Sequence, residues 1–157
     1  TRVTGDKAAA DFAYKQWNVV EDYLYSKDDS LFYRDDRYFT AKSTHGKKVF
    51  WARGNGWVLG SMPRIMDSLP KGSEYRKHYE KLFKEMAAKI KNIQMPEGLW
   101  TCSLYDPEEL NIGESRGRGF FGYALAWGIN NGLLDTAEYD KALMKAWKRL
   151  KIMQMDC

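Results

Sequence analysis

The segment Val49-Phe50-Trp51-Ala52-Arg53-Gly54-Asn55-Gly56-Trp57-Val58-Leu59 leads from a polar loop into an apolar stretch with helical periodicity. Asn55 is a favourable N-cap residue between two glycines, so the pattern predicts a helix that begins there. Trp51 and Arg53 are then expected on the incoming loop and Trp57 in the first turn. All three side chains would lie near one helix N-terminus, where backbone N–H groups lack partners within the helix.

The residue types of this segment are those of a site for an acidic sugar. Tryptophan rings suit the apolar C–H faces of sugars, and an arginine guanidinium suits a carboxylate. Glycines permit close approach of the backbone, and a helix N-terminus favours anions. The alternative is structural, because tryptophans usually fill cores and a neighbouring arginine often stacks on a ring. Composition alone favours this structural interpretation.

Apolar periodicity predicts helices along most of the chain, separated by glycine, proline and capping residues. The third predicted helix has one charged face and should lie outside, whereas the fourth is apolar nearly all round and should be buried. In the fifth helix, Leu143, Trp147 and Leu150 are expected to face inward. Strand character is expected at 31–33 and 99–101. The predicted helices are Asp6 to about Tyr25, Asn55 to about Leu69 with a kink at Pro63, Glu74 to about Gln94 with Ser73 as cap, about Ser115 to Asn131 with Gly132 as C-cap, and a helix capped by Asp135 or Thr136 that ends near Met153.

Two internal echoes indicate a repeat. The turn at 29–33 resembles the one at 97–101, and Ile93-Gln94-Met95-Pro96 resembles Met153-Gln154-Met155-Asp156. A period of roughly 60 to 70 residues is typical of repeated αα-hairpins. Alternating buried and charged helices therefore predict an all-α fold, a curved or closed α/α toroid with short strand-like connections. An unrepeated helical bundle is the alternative.

Length and charge narrow the class of protein. The 157 residues suit one domain over 1–157, and 44% apolar residues suffice for a core. A net charge of +4, with both signs interspersed, argues against nucleic acid as a partner. No apolar run is long enough to span a membrane, and Cys102 and Cys157 have no metal-site spacing. Cellular location stays open.

The segment Phe50 to Trp57 resembles the W-x-R-G-N-G-W signature of the unsaturated rhamnogalacturonyl hydrolases of glycoside hydrolase family 105. This family is allied to the family 88 unsaturated glucuronyl hydrolases. Leu31 to Phe39, Leu82 to Met86 and Phe120 to Gly132 also resemble that family, in the same order. The resemblance implies an (α/α)6 barrel, of which the chain would be about the second half. It would then lack the N-terminal hairpins and the extreme C-terminus, and exposed inner faces could make it oligomeric.

The resemblance also implies a reaction. Members remove a 4,5-unsaturated uronic acid, here galacturonyl, from the non-reducing end of oligosaccharides such as those from pectin and rhamnogalacturonan. One Asp protonates C4 of the enol ether and then activates the water that adds at C5, without metal or organic cofactor. That Asp belongs to a D-x-L-F-M segment expected upstream of residue 1, so the fragment alone is expected to be inactive. A bacterial cytoplasm or periplasm would suit the family.

The same resemblance assigns binding residues. Trp51 and Trp57 would frame the sugar rings, and Arg53 would meet the uronate carboxylate. Asp35 and Asp36 lie where relatives place polar contacts, and Asp36 is the better candidate for binding or, weakly, for catalysis. Exposed ion pairs with neighbouring arginines are the simpler interpretation of both. His45 is a lone loop histidine, more often a surface residue than a catalytic one.

One segment departs from the family pattern. Glu114 matches it, and would orient hydrogen-bond donors from behind the contact residues. Arg116 and Arg118 instead replace two small hydroxyl residues, and would either bind further acidic groups or abolish the usual fit. A different functional class therefore stays open: a non-catalytic carbohydrate-binding or structural helical-repeat protein.

Overall fold

The computed structural model describes residues 6–109 and 115–155, with the side chains of 115–118 and 152–155 excepted. Most of this part of the chain is helical, and the all-α prediction is confirmed. Within the described residues no helix is long and apolar enough to cross a membrane. The elements are α1 (Lys7–Leu24), β1 (Tyr25–Ser26), β2 (Leu31–Phe32), a 3-10 turn (Asp36–Tyr38), α2 (Ala52–Met66), α3 (Glu74–Asn92), α4 (Ser115–Asn130) and α5 (Thr136–Met155).

Local capping residues set most helix ends where the sequence predicted them. The Ser73 hydroxyl accepts a hydrogen bond from the Arg76 N–H at 3.3 Å, and Asp135 accepts one from the Glu138 N–H at 2.9 Å. Gly132 follows α4 with φ of +68°, a left-handed conformation that favours glycine. These three caps confirm the predicted starts of α3 and α5 and the end of α4.

The predicted start of α2 is wrong. The helix begins at Ala52, with Trp51 in the N-cap position and no side chain capping it. Asn55 lies one turn inside, almost fully buried, and its side chain serves a different purpose described below. The helix also ends at Met66 rather than Leu69.

Helices α2 and α4 pack side by side and run in the same direction. Trp57 and Phe120 pack together with ring centroids 4.3 Å apart and ring planes tilted by 41°. Further along both helices, Arg64 and Tyr123 line the same concavity. A Cβ atom at Gly60 would lie 3.0 Å from Phe120, so glycine permits this close approach. Both helix N-termini therefore lie at one end of the fold.

Helices α3 and α5 cover the α2–α4 pair. Phe83 of α3 packs on Trp127 of α4, with ring centroids 5.7 Å apart. As predicted, α3 buries its apolar face and leaves its charged face exposed. The buried apolar residues of α3 are Tyr79, Leu82, Phe83, Met86, Ala87 and Ile90.

The two long connections lie together at the N-terminal end of α2 and α4. Trp51 and Ser103 form an antiparallel bridge. The Ala52 N–H donates to the Cys102 carbonyl, and the Leu104 N–H donates to the Phe50 carbonyl, each at 2.9 Å. The short connections occupy the opposite end. Binding and catalytic residues often lie on long loops, so we place the candidate site at this end.

Three details differ from the sequence prediction. Trp147 is 51% exposed, whereas α5 buries Tyr139, Ala142 and Ala146. No residue of α1 is buried although apolar residues recur along it with helical periodicity, and Val20 is half exposed. Strand structure is confirmed at 31–32, but no strand forms at 99–101.

Candidate functional site

Trp51 is the centre of the candidate site. Its indole carries two guanidinium groups: the Cζ atom of Arg53 lies 4.7 Å from a Trp51 ring centroid, and that of Arg34 lies 5.6 Å away. Gly54 contacts the ring edge, since a Cβ atom there would lie only 2.9 Å from Cε3. Guanidinium groups stack favourably on indole rings. Trp51 therefore holds two positive charges at the start of α2.

Asn55 fixes the loop that supplies Arg34. Its Oδ1 accepts a hydrogen bond from the Phe32 N–H at 2.8 Å, and its Nδ2 donates to the Phe32 carbonyl at 3.0 Å. Nδ2 also donates to the Trp51 carbonyl at 3.1 Å. One buried amide thus joins β2 to the α2 N-terminus and sets the position of Arg34 relative to Trp51.

The two acidic candidates have different surroundings. The Asp35 carboxylate accepts hydrogen bonds from Nε and Nη2 of Arg37, both at 2.9 Å, and this pairing lowers the pKa of Asp35. Asp36 is exposed and accepts a hydrogen bond from the Tyr23 hydroxyl at 3.2 Å. Asp35 is therefore held as a carboxylate in an ion pair, and Asp36 contacts α1.

Trp57 lies in a separate concavity from Trp51. Its side chain is 59% exposed, and its ring packs at a tilt against Phe120. A concavity of about 590 Å³ is lined by Trp57, Gly60, Arg64, Gly119, Phe120 and Tyr123. Trp51 lines a smaller cavity, of about 170 Å³, on the other side of α2. The structure therefore brings Trp51 and Arg53 together and leaves Trp57 apart from them.

His45 is part of a loop anchor. Its Nδ1 atom lies 2.8 Å from Oδ2 of Asp106, whose side chain is fully buried. The neighbouring Ser43 hydroxyl and His45 lower the pKa of Asp106. Nearby, the Thr44 N–H donates to Glu109. These contacts join the loop before α2 to the loop before α4, and so support the segment that carries Trp51.

Some predicted residues are not described, and some observed ones were missed. Glu114 lies outside the described residues, as do the side chains of Arg116 and Arg118. Sequence reasoning placed Arg34 only in a surface ion-pair cluster, although its position three residues after Leu31 put it on the same loop as Asp36. The fourth helix was expected to be buried, but Phe120 on this helix is only partly buried and packs against the exposed Trp57.

Comparison with known proteins gives a consistent result. The family model described as Glycosyl Hydrolase Family 88 matches residues 1–156. A relative from Formosa agariphila, named "Unsaturated 3S-rhamnoglycuronyl hydrolase", is 44% identical over 146 residues, which is 89% of this chain and 39% of the relative. This chain therefore spans less than half the length of that protein.

Solved structures agree with the sequence relatives. A family 88 glycosyl hydrolase from Bacteroides vulgatus matches with a TM-score of 0.92 and 37% identity, over 95% of this chain and 43% of that chain. A family 105 glycoside hydrolase from C. acetobutylicum matches with a TM-score of 0.77 and 22% identity, over 94% of this chain and 42% of that chain, which shows a shared fold. The resemblance seen in the Phe50–Trp57 segment is confirmed, and the chain belongs to glycosyl hydrolase family 88.

Proposed function

We propose that the full-length protein hydrolyses a 4,5-unsaturated uronyl residue from the non-reducing end of an acidic oligosaccharide. One observation carries the binding half of this proposal: Arg53 is half-buried, stacked on Trp51, at the N-terminus of a 15-residue helix. A guanidinium oriented by an aromatic ring, beside a helix end that favours anions, suits a uronate carboxylate. We assign Arg53 to that carboxylate, and Trp57 to an apolar face of a sugar ring.

The chemistry requires one group that first gives and then takes a proton. Protonation at C4 of the enol ether leaves a cation at the C5 end, water adds there with loss of a proton, and the resulting hemiketal opens to release the neighbouring sugar. Asp35 is unsuited to donate a proton, because its pairing with Arg37 lowers its pKa. We assign the proton donor to an Asp upstream of Thr1, with Asp36 as the weaker candidate.

The substrate is proposed at two levels. The coarser level is an unsaturated uronyl sugar, as the name of the Formosa agariphila relative indicates for that protein. The finer level is galacturonyl or another uronyl residue joined to rhamnose, from rhamnogalacturonan-type or pectin oligosaccharides. Loss of the enol-ether absorbance in the near-ultraviolet measures the turnover of each candidate directly.

The test compares the full-length protein, the 157-residue chain and three variants of the full-length protein. Arg53→Gln should lower kcat/KM about 100-fold, since a charge-assisted, two-point contact is lost. Arg53→Lys should retain only part of the wild-type kcat/KM, because a lysine ammonium cannot make the two-point contact of a guanidinium. Lys84→Gln removes an exposed charge on α3 and should leave turnover unchanged. Full activity in Arg53→Gln contradicts the assignment of Arg53, and turnover by the 157-residue chain contradicts the upstream proton donor.

A further inference from the structure

The second half of α5 is strongly basic. Between residues 141 and 151 the sequence has five basic residues and no acidic residue, whereas the whole chain has 25 basic and 21 acidic residues. Cations three or four residues apart on a helix repel each other. The helix dipole does not explain them, because its effect is confined to the last turn, and the last turn of α5 contains no basic residue. The five residues are Lys141, Lys145, Lys148, Arg149 and Lys151.

Three of these cations lie on one exposed face of the helix. Lys141, Lys148 and Lys151 are spaced by seven and three residues, which places them on the same side of α5, and all three are exposed. In the part of the chain that the structure describes, no carboxylate pairs with any of them, and the ion pair that joins α5 to α3 is instead that of Glu138 with Lys91. Their charges are therefore available to an external anion.

An exposed aromatic ring lies among these lysines. Trp147 is 51% exposed, and the Nζ atom of Lys151 lies 5.4 Å from a Trp147 ring centroid. Met144, one turn earlier on the helix, is also exposed and extends the apolar surface. A tryptophan ring suits the apolar C–H face of a sugar, and the ammonium groups beside it suit acidic substituents. We call Lys141, Met144, Trp147, Lys148 and Lys151 the α5 basic face.

We propose that the α5 basic face binds an acidic polysaccharide chain, at a place separate from the candidate site at the N-terminus of α2. The face extends over ten residues, about 15 Å of helix, so it suits a chain of charged sugars rather than a single anion. The choice of a uronate polymer rests on the proposed function, because such a polymer is the source of unsaturated uronyl oligosaccharides. Binding there holds the protein close to the polymer from which its substrates are released.

The test measures binding of the full-length protein to polygalacturonate that has no unsaturated ends, by affinity electrophoresis, with dextran as the neutral comparison. The wild type should bind polygalacturonate more tightly than dextran. Replacing Lys148 and Lys151 together by Gln should raise the Kd about fivefold and flatten its salt dependence, since two contacts with a linear polyanion are lost. Trp147→Ala should raise the Kd by a similar factor. Replacing Lys71 and Lys84 together by Gln makes the same change in net charge at exposed positions outside α5, and should retain the wild-type Kd.

Four results would overturn the inference. Equal increases of Kd in the two double variants would show that net charge alone explains binding. An unchanged Kd in Trp147→Ala, with a lower midpoint of thermal unfolding, would show that another part of the full-length protein covers this ring. Tighter binding to duplex DNA than to polygalacturonate would exclude the polysaccharide as the preferred partner. Loss of polygalacturonate binding in Arg53→Gln would place the polymer in the candidate site instead.

Turnover separates this inference from the proposed function. The α5 variants should hydrolyse an unsaturated uronyl disaccharide at the wild-type rate, because the α5 basic face lies apart from Trp51 and Arg53. If the wild type hydrolyses no such disaccharide, the proposed function fails, and the comparison of the two double variants on polygalacturonate still decides whether the α5 basic face binds the polymer.

Discussion

The Asn55 side chain hydrogen-bonds both backbone groups of Phe32, accepting from its N–H at 2.8 Å and donating to its carbonyl at 3.0 Å. Asn55 is only 1% exposed, so these groups have no access to water as an alternative partner. This contact is the link between the two halves of the candidate site, since Phe32 precedes Arg34 by two residues and Asn55 follows Arg53 by two.

Asn55→Ala should therefore destabilise the protein by about 2–4 kcal/mol, because two buried backbone groups would lose their partner. Chemical denaturation measures this free energy of unfolding. Asn131→Ala is the matched control, because Asn131 is exposed and makes a single local hydrogen bond to the Trp127 carbonyl. Asn131→Ala should lower the free energy of unfolding by less than about 1 kcal/mol. Equal losses in the two variants would contradict the linking role of Asn55.

Gly98→Ala and Gly72→Ala are a second pair of test and control variants. Both have positive φ, +85° and +82°, so alanine at either position carries left-handed strain of about 1–2 kcal/mol. A Cβ atom at Gly98 would also lie 2.7 Å from the Lys145 backbone on α5, whereas a Cβ atom at Gly72 meets nothing within 4 Å. Gly98→Ala should lower the free energy of unfolding clearly more than Gly72→Ala. Similar values would mean that the turn after α3 does not pack closely on α5.

The helices could be predicted from sequence because their signals are local. Ser73, Asp135 and Gly132 each cap a helix end within a few residues of themselves, and the apolar period of α3 lies within one helix. The closed barrel was predicted from the family resemblance, because the helical periodicity alone did not distinguish a curved arrangement of hairpins from a closed one. Features that depend on residues close together in the sequence were therefore predicted well.

The site could be predicted only in part, because its contacts join distant residues. Asn55 has the chemistry of an N-cap, but its partner Phe32 belongs to another element, so a short window favours the wrong role. Arg34 and Trp51, and likewise His45 and Asp106, are contacts between residues that are far apart in the sequence. Trp147 was expected inside because it is large and apolar. In the structure, the small residues Ala142 and Ala146 let α5 pack closely, and Trp147 stays outside under Lys151.

Asp29 should make stability depend on pH in acid. Burial acts to raise its pKa, but hydrogen bonds from Lys48, Ser26 and Tyr105 outweigh this and the pKa is lowered below 3.8. A group whose pKa is lower in the folded state than in the unfolded state stabilises the fold at pH values above its ordinary pKa. This contribution is lost as the pH falls through the pKa of the folded state. Asp29→Asn should therefore cost about 2 kcal/mol near pH 6, and progressively less as the pH falls toward 2.

Denaturation series between these pH values measure that difference. Asp28→Asn is the control, because Asp28 is exposed and adjacent, and its curve should follow the wild type throughout. A loss in Asp29→Asn that stays constant across the series would show that packing, rather than ionisation, explains the role of Asp29.

Gly54→Ala should weaken substrate binding more than it weakens folding. A Cβ atom there would lie 2.9 Å from Cε3 of Trp51, so the indole must shift, and Arg53 and Arg34 stack on that indole. Alanine is otherwise favoured over glycine inside a helix by about 1 kcal/mol, which offsets part of the strain in the fold. We expect KM for an unsaturated uronyl disaccharide to rise about tenfold in the full-length protein, since the Arg53 guanidinium assigned to the uronate would be displaced with the indole.

Gly122→Ala is the control for helical propensity, because a Cβ atom at Gly122 on α4 meets nothing within 4 Å. It should leave KM unchanged and should not lower the midpoint of thermal unfolding. If Gly54→Ala also leaves KM unchanged while it lowers that midpoint, Trp51 supports the fold and does not position the guanidinium groups for substrate. A raised KM with the midpoint retained would place the Trp51 indole in the binding site, because only ligand contacts would then have changed.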